Sequence, residues 1–145
     1  MGGPSAAAPA GARPTAGIAH TGSPHTVSET VRLLTELIGA AGAKLFAVVD
    51  HSGEAARAGL SLRDTKLVIF GNPVAGTPAM AAAPLAAIDL PLRLLVWEDD
   101  DGAVWMSHIE PGWLASRHRL TADLVAPLAA AGALAGRVAA GDSRK

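Results

Sequence analysis

The sequence predicts an α+β fold: a two-layer sandwich with helices on one face of a mainly antiparallel sheet. Three observations carry this. Short apolar runs (KLFAVV, TKLVIF and LRLLVWE) alternate with stretches of helical character. DDDG at Asp99–Gly102 is a hairpin signal between two such runs, so one strand pair must be antiparallel. The most clearly signalled helix has one apolar face, as a helix lying on a sheet requires.

Each element can be justified in order. Ile18–Gly22 reads as a short first strand. Thr26 and Glu29 have capping-box spacing. Val27, Val31, Leu34, Ile38 and Ala41 then follow the rhythm of one buried helical face, and Gly42 suits the left-handed position beyond it. Lys44–Val49 is a buried strand closed by Asp50-His51. SGEAARAG gives one or two helical turns with Ser52 as cap and Gly59 as stop. Thr65–Phe70 is the next strand. It runs into a Gly-Asn-Pro corner and a short helix that Pro84 ends. Leu92–Glu98 and Ala103–His108 are the hairpin arms, and Pro111 opens PGWLASRH. Thr121–Ala140 is rich in Ala and Leu and helical, kinked or restarted at Pro127. The domain is expected over residues 17–140. Residues 1–16, small and proline-rich, make a disordered tail, and 141–145 a frayed one.

Composition removes several classes of function. With no cysteine there is no disulfide, thiolate metal site or Cys nucleophile. A formal charge of -1 and the lack of a basic run argue against a nucleic-acid partner. Aromatics are only 3%, so Leu, Val and Ile must build the core. No apolar run approaches the roughly 20 residues of a membrane span, and the N-terminus lacks a secretory signal's apolar core. The expectation is a cytoplasmic protein with no membrane partner. No cofactor is implied.

Two places could carry chemistry. In IFGNPVAGTPAM, Asn72 precedes Pro73 and can form an Asx turn, while Thr77-Pro78 has the form of a helix N-cap followed by a first-turn proline. That accounts for the corner as structure. As a site, free N–H groups at a helix start near Thr77 would hold an anion, with Asn72, Pro73, Gly76, Thr77 and Met80 around the ligand and Trp97 and Trp105 as walls. It is no P-loop, since no Gly-Lys-Ser/Thr follows. An anion pocket would gain from Arg63, Arg93 or Arg117 facing it.

The second place is Asp50-His51, a carboxylate and an imidazole that, with Glu98, could act as acid and base. The plainer reading makes Asp50 a helix cap with His51 packed beside it. His51, His108, His118 and Glu98 are ligand-capable but lack zinc-motif spacing, so no metal site is expected. The acidic triplet Asp99–Asp101 reads as a solvated turn, lacking the spacing of a calcium loop. The 15-residue link Ser52–Lys66 allows either a crossover or an antiparallel return, so the two places could share one end of the sheet or lie at opposite ends.

Together DHSGEAARAGL, LVIFGNPVAGTPAM, IDLPLRLLVWEDDDG and VW-x-S resemble the domain of unknown function family 302 over roughly residues 17–120. The resemblance implies a compact domain with a TATA-binding-protein-like β-α-β(4)-α arrangement, often dimeric, without implying DNA binding. One departure stands out. Members often carry an aromatic and Asn before the last proline, where this chain has His108-Ile109-Glu110, so no role of that Asn transfers. The functional expectation is a domain binding a small molecule, anions among the candidates, near the Gly-Asn-Pro loop and acting as a homodimer. Leu124, Leu128 and Leu134 are the candidate seam. An Asp50-His51 enzyme and a purely structural interaction module are the alternatives.

Overall fold

The computed structural model describes residues 8–13 and 15–141. The strands are β1 (Ile18–Ser23), β2 (Lys44–Asp50), β3 (Thr65–Gly71), β4 (Leu92–Glu98) and β5 (Val104–Ile109). The helices are α1 (Val27–Ala40), α2 (His51–Arg57), α3 (Pro73–Ala82), α4 (Pro111–His118), α5 (Ala122–Val125) and α6 (Ala130–Ala139). Two 3-10 turns, Pro84–Ile88 and Ala126–Leu128, follow α3 and α5.

The sheet order is β1-β5-β4-β3-β2, and every neighbouring pair is antiparallel. The return from β2 to β3 sets Lys44 opposite Gly71 and Asp50 opposite Lys66. Asp50-His51 and Gly71-Asn72-Pro73 therefore lie at opposite ends of the sheet.

Strand alternation sorts the side chains. Val68, Phe70, Leu94, Val96 and Met106 face the helices and are buried against Val27, Leu34, Leu37 and Ile38 of α1 and Leu134, Ala135 and Val138 of α6. Each large side chain so buried stabilises the fold by roughly 1.5–3 kcal/mol. The small Ala side chains of α6 let it approach closely. A second cluster of Ala79, Leu120 and Leu128 anchors α3 to the C-terminal segment.

The interruption expected at Pro127 is present: residues 122–139 form two helices and a 3-10 turn, because Pro127 cannot donate to a continuous ladder. Other expectations need correction. Contrary to the expectation, Ala122–Ala139 is long and apolar enough to cross a membrane, with mean hydropathy 1.3 over 18 residues. In this fold its large buried side chains, Leu128, Leu134 and Val138, are spent on the molecule's own core. Leu128 and Leu134 are thus not free to form a seam between subunits, and Leu124 packs against the second cluster. Of the two cap readings for α2, the one at Asp50 holds and the one at Ser52 does not: Asp50 Oδ1 accepts from Gly53 N (2.9 Å) and Ser52 Oγ (3.0 Å). In the segment expected as a tail, Pro9 is buried and Ala10 N donates to Asp99 Oδ2 at 2.9 Å. Residues 1–7, Pro14 and 142–145 lie outside the described residues.

Candidate functional site

At the corner after β3, Asn72 is extended (φ -131°, ψ 117°), as a residue before proline must be. Its Oδ1 accepts from Val74 N at 3.0 Å, the expected Asx turn. Its carbonyl accepts from Ala75 N and Gly76 N, both at 2.9 Å. Asn72 is therefore the cap and Pro73 the first-turn proline, and α3 starts well before the predicted Thr77-Pro78 cap. Asn-Pro and Thr-Pro carry the same signal. The first is used because β3 ends just before it, which leaves Pro78 inside the helix. Pro73 has no N–H, and those of Val74, Ala75 and Gly76 are taken. The anion-holding donors expected near Thr77 are spent on the corner itself.

What the corner does build is a hollow. A cavity of about 240 Å³ lies beneath α3 and is lined by Asn72, Pro73, Gly76, Thr77 and Met80 together with Phe46, Phe70, Leu90, Pro91, Leu92 and Leu128, among others. Its wall is overwhelmingly apolar and includes no charged side chain. Asn72 and Thr77, both exposed, supply polar groups at the rim. Trp97 and Trp105 are not walls, since they alternate with the core residues Val96 and Met106 and so face away from the helices. The arginines do not converge either. Arg63 pairs with Asp100 (3.5 Å), Arg117 pairs with Asp89 (3.2 Å), and Arg93 is exposed on β4.

At the other end, Asp50 is committed to its cap and to Lys66 (3.6 Å). The Gly53 N–H and the Ser52 hydroxyl hold its carboxyl below the usual range. His51 is exposed. Glu98 ends β4, two strand spacings from β2, roughly 9–10 Å away. The expected acid/base constellation does not form. His51, His108, His118 and Glu98 are likewise not brought together as a metal site: among the described residues no group of three or more potential ligands forms.

The sequence reading missed three polar constellations. Asp99 is not a solvated turn residue: it is 3% exposed, and its carboxylate accepts from Ala10 N, Asp101 N, Ala103 N and Trp105 Nε1, each at 2.9 Å. The Ala10 N–H, with the Trp105, Ala103 and Asp101 donors, outweighs burial and holds its pKa down at about 2. Its position directly after a strand at the head of a turn was the signal for such an Asx role. On the helix-free face, Ser107 Oγ meets His20 Nδ1 (2.7 Å) and accepts from Trp97 Nε1 (2.9 Å). His118 Nε2 lies 2.5 Å from Asp89 Oδ2. These last two pairings span 87 and 29 residues, and no local pattern marks them. His108 packs beneath α6, where a Cβ on Gly132 would stand 3.2 Å from its Nε2. Among the described residues its buried Nδ1 has no partner, and burial pushes its pKa down.

The fold and cavity define a class: a one-sided antiparallel α+β domain with a hollow at one end whose described wall carries no charge. The family described as "Domain of unknown function DUF302" matches residues 19–135, and the chain belongs to that family. The solved structure of the uncharacterized conserved protein DUF302 from Bacillus stearothermophilus is similar, with a TM-score of 0.72 over 87% of this chain and 98% of that one. At 15% identity it speaks to the fold alone. Curated relatives are Fluoride-specific ion channel FluC 1 of Brucella suis biovar 1 (strain 1330) and FluC 1 of Brucella abortus biovar 1 (strain 9-941). Each is 42% identical over 104 residues, 72% of this chain. The chain covers 41% and 38% of their lengths, about two fifths of the relatives it matches. An ion channel is a membrane protein, so these names overturn the expectation that membranes have no part in this protein's setting.

Proposed function

We propose that this chain is a binding domain for a small apolar molecule bearing one hydrogen-bonding group, held in the cavity beneath α3. The observation that carries this is the cavity itself: about 240 Å³, walled by Phe, Leu, Met and Pro side chains and without a charge. Binding sites of this kind bury an apolar body and orient it with a few polar groups. The Asn72 amide and the Thr77 hydroxyl are the groups available at the rim. The apolar wall and the spent N–H groups favour this ligand over an anion. From the relatives' names we take a membrane setting for the domain and not channel activity, because the matched portion is the helix-on-sheet domain described above.

Titration with the apolar fluorophore N-phenyl-1-naphthylamine tests this. Saturable enhancement is expected for the wild type. Gly76→Leu should abolish it by filling the cavity, since a Cβ at Gly76 meets only Met80 Cε (3.7 Å) and Leu90 Cδ1 (3.8 Å). Gly76→Ala is the control that keeps most of the space. Enhancement undiminished in Gly76→Leu, or absent from the wild type, sinks the proposal.

A further inference from the structure

Four of the molecule's exposed large apolar side chains stand on the elements that close the cavity. Phe46 (47% exposed) lines it, and Val74 (84%) lies in α3 between the lining residues Pro73 and Ala75. Leu85 (69%) and Ile88 (66%) belong to the 3-10 turn that packs on α3 and leads to the lining residue Leu90. Leaving such side chains in water is unfavourable. Cations accompany them: Lys44 Nζ stands 5.2 Å from the centre of the Phe46 ring, and Arg117 and Arg119 border a shallow hollow with Leu85. The carboxylate facing that hollow's side chains, Asp89, is already taken by His118 and Arg117.

Protruding apolar side chains interspersed with Lys and Arg suit the boundary between lipid headgroups and acyl chains. We propose that the α3 end of the molecule docks on an anionic lipid surface, with Phe46, Val74, Leu85 and Ile88 entering the interface and Lys44 and Arg119 meeting the headgroups. The cavity mouth then opens toward the lipid, and an apolar ligand reaches it without crossing water. A second copy is disfavoured as the occupant, because a twofold contact through this end sets like charges against one another. The inference rests on the cavity reading for its purpose but is tested separately.

The experiment is co-sedimentation of the full chain with vesicles of phosphatidylcholine alone or of phosphatidylcholine and phosphatidylglycerol in equal parts. The wild type should bind the mixed vesicles about fivefold or more better than the neutral ones, and less as salt is raised. Val74→Asp and Ile88→Asp, neither on the cavity wall, should lose the vesicles and keep the fluorophore. Gly76→Leu should do the reverse. Thermal melts confirm that each variant folds. Absence of wild-type binding, or undiminished binding by both aspartate variants, overturns docking whatever the fluorophore does. Sedimentation showing a dimer that Val74→Asp dissociates overturns it in favour of a second copy.

Discussion

The two ends of the sheet are built on opposite principles. At the end holding Asp50, Ser52, Thr65 and Asp99, polar side chains saturate one another and the backbone. Ser52 Oγ accepts from Thr65 N (3.1 Å), Asp50 caps α2, and Asp99 gathers four N–H groups. At the end holding Asn72, the corner satisfies itself within a few residues and leaves space behind it. The carboxylates that looked chemically promising are structural because their hydrogen-bonding capacity is used up. The strand-to-helix corner, where a ligand was expected, lines the cavity together with residues from other segments.

Substitutions can break or sharpen this contrast. The largest effect is expected for Asp99→Ala, which strands four donors around a buried position: a fall in Tm on the order of 10 °C by calorimetry, with no loss of fluorophore binding in the folded protein. The same carboxylate sets an acid limit. Its folded pKa is held at about 2 against an ordinary 3.8, so its stabilisation is complete above about pH 4 and is lost as pH falls toward 2. Denaturation midpoints measured across that window should fall more steeply for the wild type than for Asp99→Asn.

A matched glycine pair gives a finer test. At Gly53 a Cβ would stand 2.3 Å from Asp50 Oδ2, so Gly53→Ala must displace the cap and should lower Tm by a few degrees. Gly76 lies in a helix with only ordinary contacts around its missing Cβ, so Gly76→Ala should stabilise by about 0.5–1 kcal/mol. Equal effects at the two sites would erase the distinction between full and hollow ends. The smallest effect is expected at His108. Burial lowers its folded pKa, so its neutral form's contribution is complete above the ordinary value of 6.5 and lost as pH drops below it. His108→Leu should flatten stability, followed by urea midpoints, between pH 7 and 5.

Most of the fold was legible because it is written locally. The Thr26 cap on α1, the Asp99–Gly102 hairpin, the β runs and the Asx turn at Asn72 all appear where their patterns place them. The start of α3 was misplaced because two Asn/Thr-Pro pairs make the same statement, and only the end of β3 decides between them. All five residues expected around the ligand line the cavity, since a chain that turns a corner brings its own neighbours together. Phe46, Leu90 and Leu128 arrive from other segments. Asp89 with His118 and His20 with Ser107 depend on tertiary meetings that no periodicity encodes.

The first strand has a consequence for how the chain is made. Among the described strands β1 pairs with β5 alone, Ile18 opposite Ile109, and Ala10 reaches forward to Asp99. Translation proceeds from the N-terminus at about 5–20 residues per second, so β1 emerges several seconds before its partner exists. Through that interval its hydrogen-bonding edge waits unpaired, while β2, β3 and β4, which pack on α1, emerge ahead of β5. The sheet can close only when the far hairpin arm arrives, so the first of these five strands to be made is among the last to be paired.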